Sequence, residues 1–157
     1  MKGFVVAREY AQEVLRVRAE LKAVGLEQGL ALFPLTEELV KSVGSAGQLE
    51  PLPGFEYLSE NLCALLARIS DLCPLLYFET EYFGGMGAQI AMVFDKGNVV
   101  FGPRKHKTND GKTDRSPISE ALQVLGAKKR PQDFDEFDSV GLGRYRDSEE
   151  WLSSIPQ

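Results

Sequence analysis

The 157-residue chain carries 23 acidic against 18 basic residues, a net charge of −5, and is 43% hydrophobic and 26% charged. That balance belongs to an ordinary globular protein with enough chain to bury a core, so it excludes intrinsic disorder and any need for a disulfide or metal staple. The negative charge argues against a general nucleic-acid binder, which needs a basic surface to release phosphate counterions. No stretch approaches the roughly 20 apolar residues of a membrane span.

In chain order, Phe4 to Ala7 is a short apolar run that reads as an edge strand. From Glu9 the pattern turns helical: Val14, Leu15, Val17, Leu21 and Val24 share one face, and Gly25 stands where a helix C-terminal glycine belongs. Gly29 to Phe33 reads as a strand closed by Pro34. Thr36 is placed to cap a short helix, Glu37 to Val43, with two acids in its first turn.

Residues 44–54, rich in glycine, serine and proline, read as a flexible loop. Ser59 then caps a second amphipathic helix with Leu62, Leu65, Leu66, Ile69 and Leu72 along its apolar stripe, and Pro74 stops it.

Leu75 to Phe83 alternates as a strand with Tyr77, Glu79, Glu81 and Phe83 on one face. Ala88 to Phe94 is almost continuously apolar and reads as a central strand. Asp95-Lys96-Gly97-Asn98 is a hairpin turn, and Val99 to Phe101 is a third strand, ended by Gly102-Pro103. Residues 104–115 form a polar, basic loop.

Ser116-Pro117 opens a helix whose apolar face is Ile118, Ala121, Leu122 and Leu125, with Gly126 after it. The segment 131–157 is acidic and closes on a short helix introduced by Asp147 with Glu150 three residues on. The order, alternation first and then a run of strands, predicts a single α+β domain over residues 1–157, with amphipathic helices on a mostly antiparallel sheet.

The candidate chemistry is sparse. Gly85-Met86-Gly87 begins like a dinucleotide fingerprint, but the third glycine is missing and a strand follows in place of a helix. The cluster Gly84, Gly85 and Gly87 is therefore either a turn between strands or a place where a ligand or partner approaches the backbone. Glu79 and Glu81, about 7 Å apart on one strand face, either meet water or meet a partner.

His106, the only histidine, sits among Arg104, Lys105 and Lys107, and no nucleophile elbow accompanies it. In the acidic segment, Asp133, Asp135, Glu136 and Asp138 surround Phe134 and Phe137. Those rings either pack inward or anchor a basic partner. Cys63 and Cys73 read as two buried thiols in a reducing compartment. A disulfide is the alternative, with Cys73 just past the helix end.

The run Glu79 to Gln89 (ETEYFGGMGAQ), followed by an apolar strand, a glycine turn and Phe101-Gly102-Pro103, resembles small, mostly uncharacterised bacterial proteins. Leu32 to Thr36 and Ile118 to Gly126 add to the likeness, which covers residues 29–127. The resemblance includes immunity-type proteins that neutralise toxins by binding them, and it implies a stand-alone cytoplasmic domain.

The resulting expectation is a non-catalytic protein-binding domain with a protein partner, a basic toxin among the candidates. It implies no cofactor, metal, nucleic acid or membrane. Its partner surface combines Glu79, Glu81, Gly84, Gly85, Gly87, Asp133, Asp135, Glu136 and Asp138.

The rival is a small enzyme or ligand-binding domain with a pocket at the Gly84–Gly87 turn. There Glu79 or Glu81 is the acid or base, and Arg104, Lys105 or His106 lies on the ligand. A homodimer pairing at an exposed strand edge, such as the one beginning at Phe4, is a third arrangement. The N-terminal stretch lacks a signal-peptide core, since Arg8, Glu9 and Glu13 interrupt it, and a cytoplasmic location is the default.

Overall fold

The computed structural model describes residues 1–44, 50–83, 86–107 and 116–157. Its centre is one antiparallel sheet of six strands: β1 Lys2–Ala7, β2 Val24–Gly25, β3 Leu30–Pro34, β4 Leu75–Phe83, β5 Met86–Asp95 and β6 Asn98–Lys107, in the order β2-β3-β1-β4-β5-β6. The α+β class and the antiparallel sheet are as the sequence predicts.

Helices cover both faces. On one side lie α1 (Ala11–Val17), α2 (Glu37–Val43) and α3 (Glu60–Ile69), whose core takes Phe4, Val6, Phe33, Leu75, Tyr77 and Phe94 from the strands. On the other lie α4 (Pro117–Val124), α5 (Glu136–Ser139) and α6 (Ser148–Ser153), packed on Val5, Leu32, Leu76, Phe78 and Val93. Neighbouring residues of one strand thus enter different cores. This is why the strands read as unbroken apolar runs instead of alternating with polar residues.

The short local signals hold. The side chains of Thr36, Ser59, Ser116 and Asp147 cap α2, α3, α4 and α6 by accepting from the backbone N–H three residues on. The 95–98 hairpin turns with Lys96 at φ 50° and Gly97 at φ 79°, the pair of positive angles that a tight hairpin of the right twist requires. Both cysteines are free thiols; Cys73 is buried and Cys63 half-buried, so the disulfide alternative falls.

Three expectations are corrected. The strand from Phe4 is not an edge: β1 lies between β3 and β4, so no second copy can pair along it. The long helix from Glu9 to Val24 is in fact a 3-10 turn at Arg8–Tyr10 followed by the seven-residue α1. Arg18 after α1 is already extended, and Gly25 belongs to β2 rather than to a helix end. Leu21 reaches the core from irregular backbone, which mimics helical spacing in the sequence.

The third correction is β6, which does not stop at Gly102-Pro103. It continues to Lys107, so Arg104, Lys105 and His106 are strand residues, while 108–115 lie outside the described residues. A register shift opposite Ala91 and Val93 lets the strand pass the interruption, with Gly102 at φ 77°.

A side chain at Gly102 has no room: its Cβ would stand 2.6 Å from the Ala91 carbonyl oxygen and 2.9 Å from the Arg104 nitrogen, both backbone atoms. Gly102→Ala is therefore expected to destabilise the protein by at least about 1 kcal/mol, from positive φ and backbone overlap together. The midpoint of urea unfolding measures it, and an unchanged midpoint would contradict the bulge geometry.

Candidate functional site

The site is built around β4. Strand alternation puts Tyr77 and Glu79 on the same face, pointing at the loop that leads into α3. Glu79 is only 7% exposed, and its carboxylate is surrounded by donors. Its Oε1 accepts from the Tyr57 N–H at 2.9 Å, the Leu58 N–H at 3.0 Å and the Tyr77 hydroxyl at 2.8 Å; its Oε2 accepts from the Glu56 N–H at 2.7 Å. Lys2 lies in register with Glu79 on the neighbouring strand, its ammonium 3.9 Å above the Tyr57 ring.

This corrects the picture of Glu79 as part of an open acidic face, or as the acid or base of a pocket. Four hydrogen bonds use the acceptor sites that a carboxylate offers. Burial, then the Glu79 charge and its hydrogen bond, push the Tyr77 phenol well above its usual range, so it stays a donor. The cluster is a structural anchor: three consecutive backbone N–H groups ahead of α3 are fixed to the sheet by one side chain.

Glu81, two residues on, has the opposite fate. It is exposed and lies within hydrogen-bonding reach of Glu56, which the Glu79 anchor holds in place from its own backbone. The Glu56 carboxyl is raised above its ordinary value, first by the hydrogen bond with Glu81, then by burial and the neighbouring charges of Glu81 and Glu79. A neighbouring negative charge disfavours ionisation of Glu56 in this way.

A small cleft of about 40 Å³ opens beside this pair, lined by Ala88, Ile90, Lys105 and Met1. That volume is well below the roughly 300–1,000 Å³ of a small-molecule site. The Met1 ammonium donates to the Thr80 carbonyl at 2.7 Å, and Lys105 Nζ to the Gly54 carbonyl at 3.3 Å.

The predicted site residues do not converge. Gly87 is in β5, in register with Tyr82, but Gly84 and Gly85 lie outside the described residues. Lys105 reaches the cleft; Arg104 instead pairs with Glu120 of α4 and rests on the Phe101 ring, and His106 is paired in register with Gln89. The acidic segment belongs to the opposite layer, packed with α4.

Within that segment the carboxylates have separate duties. Asp133 pairs with Arg130 at 2.7 Å, Asp135 caps α5, and buried Glu136 accepts from Gln123 at 2.6 Å. Asp138 is exposed, and its carboxyl is raised by partial burial and by the charge of Asp135.

The rings part company too. Phe137 packs into the core on that side, while Phe134 is 86% exposed. The turn presenting Phe134 is firmly tied: the Arg130 N–H donates to Ser139 Oγ at 2.8 Å, and the Asp138 N–H to Asp135 Oδ1 at 3.0 Å.

Glu56, Tyr57 and Lys2 were not legible as site residues, because the contact between residues 56–58 and β4 is tertiary. Among the described residues, no group of three or more histidine, cysteine or acidic side chains is placed to hold a metal ion, and no helix is long and apolar enough to cross a membrane. Comparisons with protein families, with curated proteins and with solved structures find no match.

Two outcomes test this geometry. Glu79→Gln, with its carbonyl kept at the three donors of Oε1, puts an amide NH2 where Oε2 accepts and leaves the Glu56 N–H unpaired, at a cost of about 1–3 kcal/mol. Amide hydrogen exchange at Glu56 is expected to accelerate, and exchange as slow as in the unmodified protein would contradict the anchor.

For Glu56 the sign follows from its raised value in the folded state. The folded protein holds that proton longer than the unfolded chain, so the group's contribution to stability declines as pH rises from the ordinary carboxylate value through the raised one. Glu56→Gln is expected to raise the urea midpoint at pH 7, with the gain vanishing below about pH 4, where both states are protonated. A gain that persisted at low pH would contradict the raised Glu56 carboxyl.

Proposed function

We propose that this chain is a non-catalytic binding module for a basic protein partner, of the kind that an immunity or accessory protein of a bacterial toxin system represents. The observation that carries the reading is Phe134, 86% exposed on a turn held by an ion pair and two backbone-to-side-chain hydrogen bonds. Leaving a phenylalanine in water forgoes about 1.5–3 kcal/mol that burial returns. A pre-ordered aromatic loses little freedom when a partner covers it, which is what an interface anchor requires.

Charge supports the class of partner. Asp135 and Asp138 crowd each other beside Phe134, and the chain as a whole carries −5. A lysine or arginine approaching that turn relieves the repulsion between the two carboxylates. Complementary charge also steers the encounter and discriminates against acidic partners. Free Cys63 and Cys73 suit a reducing, cytoplasmic setting.

A second reading rests on the Glu56–Glu81 cleft, as the seat of a small cationic ligand. The crowded carboxylates favour it, and the cleft, about 40 Å³, has room only for a small ion. In that reading Glu81 and Glu56 hold the cation, since the Glu79 acceptor sites are already filled.

The binding reading is tested by capturing proteins from a bacterial lysate on the immobilised wild type and on Phe134→Ala, quantified by mass spectrometry. A basic protein retained by the wild type and depleted at least tenfold on the variant is expected, since an anchor is worth about 2 kcal/mol or more. Identical profiles on the two would overturn it. Phe134→Ala itself should leave the unfolding free energy within about 0.5 kcal/mol of wild type, as for other exposed positions.

A further inference from the structure

The sheet has two ends, and they are built differently. At one, β2 is two residues long, a short edge of the kind that resists pairing with another chain. At the other, β6 runs for ten residues, and among the described residues no strand pairs with its outer side.

Protection of that long edge is uneven. Pro103, Arg104 and Lys105 occupy its second half, residue types that discourage edge pairing. The first half, Asn98 to Phe101, has no such guard. There Val99 is 45% and Val100 55% exposed. Leu72, 41% exposed, is brought to the same end, because the turn after α3 packs on the hairpin: the Lys96 N–H donates to the Ser70 carbonyl and the Gly97 N–H to Ser70 Oγ.

Charge is distributed along β6 in a self-complementary way. Asp71 and Asp95 lie at the hairpin end and Lys105 toward the other; none of the three is in an ion pair among the described residues, and Lys105 is held only by its exposed bond to the Gly54 carbonyl. Lys96, at the tip of the turn, only partly offsets the two acids. If two such strands run antiparallel, the acidic end of each lies beside the basic end of the other. The exposed valines then meet in the middle.

We propose that a second copy of this chain docks along the outer edge of β6, antiparallel and about a two-fold axis near Val100, joining two sheets into one. Gly102-Pro103 limits the shared ladder to the Asn98–Phe101 stretch, so the contact is small and the dimer a weak one. The apolar part is isologous: each copy offers Val99 and Val100 to the same residues of the other. This surface is separate from the Phe134 turn, and the proposal does not rest on the partner reading above.

Sedimentation velocity over loading concentrations from about 1 µM to about 1 mM spans the affinity expected of so small an interface. The average mass is expected to rise toward that of a dimer in the wild type and to stay monomeric in Val100→Lys, whose side chain is exposed and whose fold is checked by circular dichroism. Lys105→Glu should weaken association at least tenfold, and Asp95→Lys added to it should restore association.

Val100→Cys, oxidised with diamide, should give a covalent dimer through the new thiol. A mass that never rises, a rise that Val100→Lys leaves intact, a rise abolished by Phe134→Ala, or no covalent dimer from Val100→Cys would each overturn the proposal.

Discussion

One buried carboxylate organises the region that gives this protein its acidic rim. Glu79 faces inward from β4 and gathers the Glu56, Tyr57 and Leu58 N–H groups together with the Tyr77 hydroxyl. Burying an ionised group costs several kcal/mol unless hydrogen bonds and nearby charge replace its water. Here four donors do so, with Lys2 on the adjacent strand. One of the two candidate acids of the sequence is thus committed to holding the segment that enters α3. Its neighbour Glu81 keeps its solvent exposure and meets Glu56 at the rim of the cleft.

The sheet separates everything else. Because helices cover both faces, consecutive strand residues enter different cores, and features close in sequence reach opposite sides of the molecule. The acids of β4 belong to the layer of α1, α2 and α3; the acids around α5 belong to the layer of α4 and α6. A single partner surface combining the two groups therefore does not form. What stands in its place is a crowded carboxylate pair at the cleft on one side and, on the other, exposed Phe134 with Asp135 and Asp138 near it.

Much of the fold was legible from local chemistry. Capping residues fix a helix start by an interaction spanning three residues, so Thr36, Ser59, Ser116 and Asp147 were readable without tertiary knowledge. The Lys96-Gly97 turn was readable for the same reason. Failures came where distant contacts decide. Leu21 and Val24 repeat at helical spacing, yet one packs from a loop and the other lies in β2. Gly102-Pro103 reads as a strand end, and only the register shift opposite β5 shows how the strand passes it. In the site, alternation placed Tyr77 and Glu79 on one face correctly, but nothing local says that residues 56–58 cover that face. Phe134 and Phe137 stand three residues apart in the same acidic setting, and the packing of α5 alone decides which ring is buried.

The most direct test of the account is a double-mutant cycle joining Tyr77→Phe and Glu79→Gln, read by urea unfolding at neutral pH. If the Tyr77 hydroxyl and the Glu79 carboxylate form one anchored network, the two losses are not additive, and the coupling falls within about 0.5–3 kcal/mol, as for residues in direct contact. Additive losses would mean that Glu79 is not the shared acceptor. They would contradict the claim that this carboxylate fixes the 56–58 segment to the sheet.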